Sequence, residues 1–376
     1  MDSNDFNLKE YLQKEITESE NVKFKKIEAF SLEYIPEKIY VREELRDVGK
    51  YLIQYYKHGI PENIIIYGLK GSGKTVSILH LLETLKPMVN INYSYINASR
   101  IATTYALYEK LAGIFNSGKS KVEIFEILKK KLGNRHIIVI DEVDHMEDYD
   151  FLYDLTRDTK FSIIILTTNL KWLKSIRPDI MSSFFPHEIY FGNYDIIEIF
   201  TILKYRAEEG LFNYDENIIL ELSKHIFEKF ESDIRIGIRG LYYLALSNKW
   251  KEENIEDALL KSAQELEFKV LNSLTTRNLI VLYILLKTHN IKTAYEIIEK
   301  SFKNYKLLSF SRSTFYNTVK LLERMQLISV YQEKKNQPSE VNSLLLSGEN
   351  IVKQILNEKL SVLYGIQFTI DDQKKF

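Results

Sequence analysis

One eight-residue segment restricts the fold of this chain more than any other feature. Residues 68–75 read G-L-K-G-S-G-K-T and fit the pattern G-x-x-x-x-G-K-[S/T]. The apolar run Ile64–Tyr67 precedes the segment as a predicted buried strand, and a helix is predicted after it, from about Thr75 to Leu85. Between a strand and a helix, such a loop points its backbone N–H groups at phosphate beside a helix N-terminus. The segment therefore predicts a phosphate-binding loop within a domain of strands and helices.

The residues of this loop have distinct expected roles. Its glycines let the backbone approach phosphate closely, Lys74 reaches the β- and γ-phosphates, and the Thr75 hydroxyl binds Mg²⁺. A chance glycine-rich turn is the alternative, and the flanking strand and helix argue against it. The predicted nucleotide-binding residues of the loop are Gly71, Ser72, Gly73, Lys74 and Thr75.

Two carboxylates follow another apolar strand. Residues His136–Ile140 form that predicted strand, and Asp141 and Glu142 come directly after it. At the carboxyl end of a parallel strand, Asp141 would lie beside Mg²⁺ and Glu142 would polarise an attacking water molecule. Acidic residues after strands are also common as helix caps, so the pair gains its meaning from the phosphate loop upstream. We expect Thr75 and Asp141 to be metal ligands, and Asp141 and Glu142 to be catalytic.

A polar tip follows the next buried strand, Phe161–Leu166. Asn169 lies in this tip, at the edge of the sheet where the two carboxylates are expected. It is predicted to orient water or to contact the γ-phosphate, as a third catalytic residue. The alternative is an ordinary turn asparagine.

The chain of 376 residues is longer than one hydrophobic core usually fills, so several domains are expected. Residues 1–30 are polar and predict a mobile or docking arm. Residues 31–193 alternate four predicted strands with helices; the second strand, Asn92–Asn97, alternates in polarity, and the other three are apolar. Apolar strands separated by helices predict a parallel sheet covered on both faces. Residues 194–270 predict a bundle of four amphipathic helices. Residues 271–376 predict three helices, a hairpin and a closing helix.

Composition excludes several classes of site. The chain has no Cys, so disulfides, zinc–thiolate sites and cysteine nucleophiles are excluded, and its seven scattered His argue against a transition-metal site. No apolar run approaches the roughly 18 residues that span a bilayer. The first ten residues lack a signal-peptide pattern, so a cytoplasmic protein is expected.

Charge is distributed unevenly although the whole chain has a net charge of −1. Residues 276–360 contain 13 Lys and Arg against 7 Asp and Glu, a net charge of +6, and the remainder has a net charge of −7. An acidic body with a basic C-terminal region indicates a nucleic-acid partner at that end.

The third helix of this basic region predicts a DNA-reading element. Ser311 is a plausible N-cap for a helix from about Arg312 to Met325. One side of this helix is apolar, with Phe315, Val319, Leu322 and Met325. The opposite stripe carries Ser313, Asn317, Lys320 and Arg324, side chains that suit base edges and phosphates in a major groove. The alternative is a solvated helix face. The following hairpin has Lys334 and Lys335 at its tip, as further predicted DNA contacts.

The order of phosphate loop, Asp-Glu strand, polar strand tip and helical lid resembles that of AAA+ ATPases. More narrowly, the chain resembles the archaeal origin-recognition and cell-division-control type replication initiators over about residues 30–350. The motifs that carry this resemblance, in order, are Tyr34–Glu37 with Arg42-Glu43, Tyr95–Ala98, Thr103–Tyr105, Val122–Phe125, and Asp141–Asp144.

This resemblance implies a fold and further site residues. The fold class is a multidomain chain: an α/β AAA+ core with a helical insertion near residues 101–121, an all-α lid, and a C-terminal winged-helix domain. Tyr194 and Arg206 match nucleotide-contacting positions, and Arg235 matches the lid arginine that reads the γ-phosphate. Without the resemblance, the two arginines would be read as solvated helix residues. In the insertion, the basic candidates for DNA contact are Arg100, Lys119 and Lys121; in the winged helix, Arg312 joins the stripe already named.

Two positions depart from the family pattern. Met181 and Ser183 stand where relatives often carry a Lys or Arg that reaches a neighbouring subunit, which argues against hydrolysis stimulated between like subunits. Ser232 replaces the first Gly of the lid motif G-D-x-R. The wing also lacks a Gly/Arg-rich tip.

The function implied is a replication initiator that binds double-stranded origin DNA in an ATP/ADP-dependent manner and helps recruit the replicative helicase. ATP with Mg²⁺ would act mainly as a switch with slow hydrolysis, and another initiator paralog is a possible partner. One alternative is a paralogous DNA-binding regulator of transcription or replication with a mainly structural nucleotide site. A weaker alternative is a signalling ATPase whose winged helix contacts protein.

Overall fold

A computed structural model describes residues 24–89, 91–99, 101–115, 118–168, 170–247, 250–302, 311–331 and 339–364. The chain separates into two compact units, Met1–Leu259 and Leu260–Phe376. This division falls inside a helix, whereas the sequence places the boundary between residues 270 and 271. Within the described ranges, no helix is both long and apolar enough to cross a membrane.

The core of the first unit is a five-stranded, fully parallel sheet. Its strands are β1 (Ile64–Tyr67), β2 (Tyr93–Asn97), β3 (Ile137–Asp141), β4 (Ser162–Thr167) and β5 (His187–Tyr190), in the spatial order β2-β3-β4-β1-β5. The four predicted strands are present as β1 to β4. β5 was not predicted, because this edge strand alternates half-buried and exposed residues and contains His187 and Glu188.

Six helices cover the sheet. They are α1 (Glu43–His58), α2 (Lys74–Val89), α3 (Thr104–Ala112), α4 (Lys121–Leu132), α5 (Asp150–Asp158) and α6 (Pro178–Phe184). On β3, Ile138 and Ile140 face a core formed with α3 to α6, whereas Ile137 and Val139 face a core formed with α1 and α2. Alternate residues of a strand point to opposite faces, so an all-apolar strand fits a sheet covered on both sides.

The lid is all-helical, as predicted. It contains α7 (Ile196–Gly210), α8 (Glu216–Lys229), α9 (Ile234–Ser247) and the first part of α10 (Ile255–Ser273). Asp195 starts α7 with a capping box, in which its side chain accepts from Glu198 N and the Glu198 side chain accepts from Asp195 N. Such reciprocal capping fixes where the lid begins.

The described end of the N-terminal arm docks on the lid. Lys25 N and Lys26 N both donate to Gly210 O, at 2.8 and 3.1 Å. Phe30 is fully buried against α7, and a Cβ on Gly210 would overlap its ring. Residues 24–30 therefore belong structurally to the lid, which agrees with the docking alternative for this part of the arm.

The second unit contains three helices, a hairpin and a closing helix, in the predicted order. After α10 come α11 (Thr276–Thr288), α12 (Ile291–Phe302), α13 (Arg312–Arg324), β6 (Ile328–Tyr331), β7 (Glu340–Ser343) and α14 (Gly348–Tyr364). The antiparallel pair β6–β7 is the base of the predicted wing, and residues 332–338 of its tip lie outside the described ranges.

Two charged side chains link the first and last helices of this unit. Glu267 on α10 accepts from Leu346 N at 3.0 Å and from Ser347 N at 3.2 Å, at the start of α14. Lys359 on α14 donates to Asn272 O and Leu274 O, each at 2.6 Å, at the end of α10. Each helix thus satisfies backbone groups at one end of the other.

Candidate functional site

The phosphate loop is in direct contact with the lid. Gly71 and Gly73 both have φ of +79°, a left-handed conformation that favours glycine. A Cβ on Gly71 would overlap the Asp233 carboxylate, and a Cβ on Gly73 would overlap the Tyr194 hydroxyl. Glycine is therefore required at both positions by backbone conformation and by the lid residues packed against them.

Lys74 is folded onto the loop that carries it. Its side chain is buried, and Nζ donates to Gly68 O at 2.8 Å and to Leu69 O at 2.9 Å. Burial lowers the pKa of Lys74 to about 8. A buried ammonium that is held by backbone carbonyl oxygens can exchange these acceptors for phosphate oxygens, so the loop fits a phosphate chain.

Thr75 and Asp141 meet across the top of the sheet, as predicted for a shared cation. Thr75 Oγ1 donates to Asp141 Oδ2 at 2.6 Å, and the Tyr95 hydroxyl donates to the same oxygen at 3.0 Å. Burial raises the pKa of the Asp141 carboxyl, although these hydrogen bonds oppose the shift. A hydroxyl and a carboxylate are oxygen ligands of the kind that Mg²⁺ prefers. The residues present therefore fit the expected metal.

The strand tips beside Asp141 are fixed by further hydrogen bonds. Glu142 has φ of +55°, and its backbone N–H donates to Asp141 Oδ1 at 2.9 Å. Asp144 accepts from Thr167 Oγ1 at 2.9 Å and from Thr168 Oγ1 at 3.3 Å. No role was predicted for Asp144, although it stands in the Asp141–Asp144 motif. Asn169 is among the residues that the structure does not describe.

Arg235 lies beside the phosphate loop, held by Asp233. Its Nε donates to Asp233 Oδ1 at 2.9 Å, and Nη2 pairs with the other carboxylate oxygen. Asp233 also packs on Gly71, so this one residue connects Arg235 to the phosphate loop.

Arg206 holds the N-terminal segment and also lines the cavity beside Gly73 and Tyr194. It is buried on α7, where Nη1 donates to Ala29 O at 2.9 Å and Nη2 donates to Tyr34 O at 3.2 Å. Burial lowers its pKa to about 10. Its guanidinium thus ties residues 29–34 to α7 at the edge of that cavity.

Arg42 is the main residue that the sequence analysis missed. It is buried, with Nη1 donating to Ser72 O at 3.2 Å and Nη2 donating to Gly192 O at 3.0 Å. Its guanidinium carbon lies 4.6 Å from the centre of the Tyr194 ring. Arg42 thus ties the phosphate loop to the segment that enters the lid. Its place in a family motif was the available signal, but no pattern indicated what it contacts.

A small apolar cavity adjoins Gly73 between core and lid. Its volume is about 50 Å³. Apolar lining residues come from the segment before α1, from α2 and from the lid: Pro36, Ile39, Val76, Ile202, Ile234 and Ile238. An apolar cavity beside a phosphate loop suits the flat ring of a base. The volume of this cavity is smaller than the several hundred Å³ that are typical of ligand pockets.

The basic residues of the insertion differ in their surroundings. Lys121 pairs with Asp154 at 3.0 Å, so its charge is partly neutralised, whereas Lys119 is exposed. Arg100 lies outside the described residues.

Thr104, at the start of α3, donates its N–H to both carboxylate oxygens of Asp148, at 3.1 and 3.0 Å.

The exposed face of α13 matches the predicted stripe. Thr314 N donates to Ser311 Oγ at 3.1 Å, which confirms the N-cap. Phe315, Val319 and Leu322 are buried, and Met325 is half-buried. The predicted contact residues are all exposed: Arg312, Ser313, Asn317, Lys320 and Arg324. Tyr316, exposed on the same helix, was not singled out, and the Arg312 guanidinium lies 5.8 Å from its ring centre. Lys334 and Lys335 fall in the part of the wing that is not described.

Comparison with known proteins places the chain among related sequences. Residues 61–173 match the model of a family described as "AAA domain". An ORC1-type DNA replication protein of Desulfurococcus amylolyticus is 31% identical over 208 residues, which cover 49% of this chain and 53% of the relative. ORC1-type DNA replication protein 1 of Archaeoglobus fulgidus is 28% identical over 295 residues, covering 69% of this chain and 71% of the relative. The chain thus spans about half the length of the first of these relatives and 71% of the length of the second.

The fold has a close counterpart among solved structures. The ORC1 protein of Aeropyrum pernix, solved in complex with DNA, superposes with a TM-score of 0.73 at 20% identity, covering 91% of this chain and 99% of that one. The predicted AAA+ core and all-α lid are confirmed, and the predicted resemblance to archaeal origin-recognition proteins is confirmed. The second unit has the order of elements of a winged helix.

Proposed function

We propose that this protein is a DNA replication initiator that binds double-stranded origin DNA in a manner that depends on bound ATP or ADP. The observation that carries the proposal is the combination, in one chain, of a phosphate loop packed on a helical lid and a basic unit with an exposed polar helix face. The ORC1-type relatives support it. The proposed organisation is an N-terminal arm over residues 1–30, a core over 31–193, a lid over 194–270 and a DNA-binding domain over 271–376.

The nucleotide site is formed by the loop and the lid together. Gly71, Ser72, Gly73, Lys74 and Thr75 would hold the phosphates, with the base in the apolar cavity beside Tyr194. Thr75 and Asp141 would hold Mg²⁺, which supplies charge neutralisation at the phosphates. Because Asp233 and Tyr194 pack directly on the loop glycines, a nucleotide that enters the loop must also act on the lid. ATP therefore serves mainly as a switch.

Slow hydrolysis fits the same residues. The oxygen of a water molecule bonds to the γ-phosphorus while the bond to the β–γ bridging oxygen breaks, giving ADP and inorganic phosphate. Glu142 is the proposed acceptor of the water proton, which then passes to solvent. Asn169 and Arg235 are the proposed orienting and γ-phosphate-binding residues.

DNA is the proposed ligand of the second unit. Ser313, Asn317, Lys320 and Arg324 form one exposed stripe on α13, and Arg312 starts the same helix. The side chains combine base-edge donors with phosphate-binding cations. Arg100, Lys119 and Lys121 of the insertion and Lys334 and Lys335 of the wing are proposed additional contacts. The replicative helicase and another initiator are proposed partners, on the nucleoid in the cytoplasm.

The proposal is tested by footprinting the purified protein across the replication origin of its host, at a stated salt concentration, with ADP and with ATP·Mg²⁺. We expect discrete protection at the origin that changes with the nucleotide. Lys320→Ala should weaken the protection, and Lys50→Ala, on the exposed face of α1, is the matched control. Protection at promoters alone would instead support the transcriptional regulator, and protection no better than on random duplex would overturn DNA recognition.

A further inference from the structure

The phosphate loop contains a second lysine besides Lys74. Lys70 is the third residue of the loop, between Gly68 and Gly71, and it is half-buried. The pattern G-x-x-x-x-G-K-[S/T] leaves this position open, so the motif gives no reason for a cation here. The residues around Lys70 do give a reason for a cation at this position.

Lys70 stands next to the point where the lid meets the loop. It directly precedes Gly71, on which Asp233 packs, and Asp233 in turn holds Arg235. The charged groups within electrostatic reach of Lys70 are Arg235, Glu142, Asp144 and Asp233. Burial, with the positive charge of Arg235, lowers the pKa of Lys70. A cation among these groups therefore lies at the end of the site where hydrolysis would take place.

Two of the three carboxylates around Lys70 have other partners. Asp233 is paired with Arg235, and Asp144 accepts from Thr167 and Thr168. Lys70 is thus not needed to satisfy either one. Compared with ADP, ATP brings additional negative charge into this same region, and a terminal phosphate requires cations around it.

A neighbouring copy of the chain offers no cation at the expected positions. Met181 and Ser183, where relatives often carry Lys or Arg, are uncharged. Cations that act on a transferred phosphoryl group can be supplied from the same chain or from a partner. With these two positions uncharged, a cation from the same chain is the source that the site itself offers.

We propose that Lys70 is a second γ-phosphate-binding cation, which acts with Arg235 from the same chain and makes the site discriminate ATP from ADP. The inference rests on the proposed function, namely that the loop binds ATP. Lysine suits this task as a compact charge on a flexible stem, which can leave nearby carboxylates for a phosphate.

The test compares the binding of ADP and of a non-hydrolysable ATP analogue by isothermal titration calorimetry at pH 7. For Lys70→Ala, we expect the affinity for the ATP analogue to fall about tenfold or more, with ADP affinity changed less than about twofold. Lys70→Arg should recover most of the loss, because the charge is kept. Lys57→Ala, on the exposed end of α1, is the matched control and should match the wild type.

The outcomes separate the two proposals. If the wild-type protein binds neither nucleotide, the proposed function fails and the role of Lys70 fails with it. If Lys70→Ala weakens ADP and the ATP analogue equally, or weakens neither, the site stands but Lys70 is not a γ-phosphate ligand. A fall in thermal stability without a change in the ratio of the two affinities would likewise assign Lys70 to balancing Glu142.

A second readout tests whether the cation acts within one chain. The rate of hydrolysis per molecule should be independent of protein concentration over about two decades, and Lys70→Ala should lower it at every concentration. A rate per molecule that rises with concentration would show that a neighbouring copy supplies the missing charge, and would overturn this part of the proposal.

Discussion

Thr104 and Asp148 cap each other's helices across 44 residues of sequence. The Asp148 carboxylate accepts from the backbone N–H and the hydroxyl of Thr104 at the start of α3, and the Thr104 hydroxyl accepts from Phe151 N at 3.1 Å at the start of α5. The helix α5 follows β3, whose last residue is Asp141. The Thr104–Asp148 pair therefore fastens the insertion to the segment that leaves the nucleotide site.

Loss of this pair should destabilise the core. We expect Asp148→Ala to lower the free energy of unfolding by about 1–2 kcal/mol, because the acceptor of the Thr104 backbone N–H at the start of α3 and the partner of the Thr104 hydroxyl are lost together. Urea unfolding at pH 7 measures the change. Asp47→Ala, exposed on α1, is the control; an equal effect of both variants would contradict a specific role for the cap.

Nucleotide binding should take up a proton above pH 8. The pKa of Lys74 is about 8 in the nucleotide-free protein, and bound phosphate should return it toward its usual value near 10.5. The free protein therefore loses the proton first, and at pH 9 binding should take up close to one proton, with affinity falling as pH rises. Titration calorimetry at pH 9 in buffers of different ionisation enthalpy checks this. A heat that is independent of buffer would contradict it.

Acid should destabilise the protein through His136. This residue is buried in the sheet core, Ser94 Oγ lies 2.8 Å from its Nε2, and burial lowers its pKa to about 4. The unfolded chain binds the proton first, so stability is present above pH 6.5 and is lost as pH falls toward 4. The contribution of His136 between pH 7 and pH 5 is about 2 kcal/mol.

Urea unfolding at both pH values measures that loss in the wild type and in His136→Gln, which should lack most of it. His58→Gln, exposed at the end of α1, should behave like the wild type. An identical pH dependence in all three proteins would exclude His136 as the cause.

The overlap caused by a side chain at residue 73 should be relieved in part by a change in the lid. Gly73→Ala introduces a Cβ at φ of +79° that overlaps the Tyr194 hydroxyl, and we expect a cost of about 1–3 kcal/mol in stability and weakened nucleotide binding. Adding Tyr194→Phe removes the hydroxyl and should recover part of both losses. Thermal melts of the single and double variants decide; if the two changes are simply additive, Gly73 and Tyr194 do not interact as described.

Two residues of α13 should differ in how they affect DNA binding. If Lys320 contacts phosphate, Lys320→Ala should lower the affinity for all duplexes. It should also reduce, by about one, the slope of the logarithm of affinity against the logarithm of salt concentration. Asn317→Ala should cost about 1–3 kcal/mol on the preferred site and little on random DNA if it reads a base. Fluorescence anisotropy on both duplexes at several salt concentrations separates the two; equal losses on both duplexes for Asn317→Ala would exclude base reading.

Patterns within short stretches of sequence predicted most of the architecture. The runs around Ile64, Ile138 and Ile164 are all-apolar, and a covered parallel sheet is what such strands form. The phosphate loop and Asp141 come together because both follow parallel strands, whose carboxyl ends share one edge of the sheet. On α13, helical periodicity correctly separated buried Phe315 from exposed Lys320.

Contacts between distant segments could not be read in the same way. Arg42 and Arg206 are both buried because each meets backbone carbonyls far away in sequence, on Gly192 and on Ala29. An arginine in an amphipathic stretch gives the same local pattern whether it is solvated or holds a distant loop. β5 was missed for a related reason, since its position at the sheet edge depends on pairing with β1 and not on its own polarity.

The mutual capping of α10 and α14 orders events during synthesis. The first unit has all its elements once the chain up to Leu259 has left the ribosome. The far end of α10 obtains its partner, Lys359, only after a further hundred residues have been made. Because domains fold as units during synthesis, the first unit should be in place while the second unit still waits for its last helix. A nascent chain stalled before α14 would thus carry a folded first unit and an incomplete second unit.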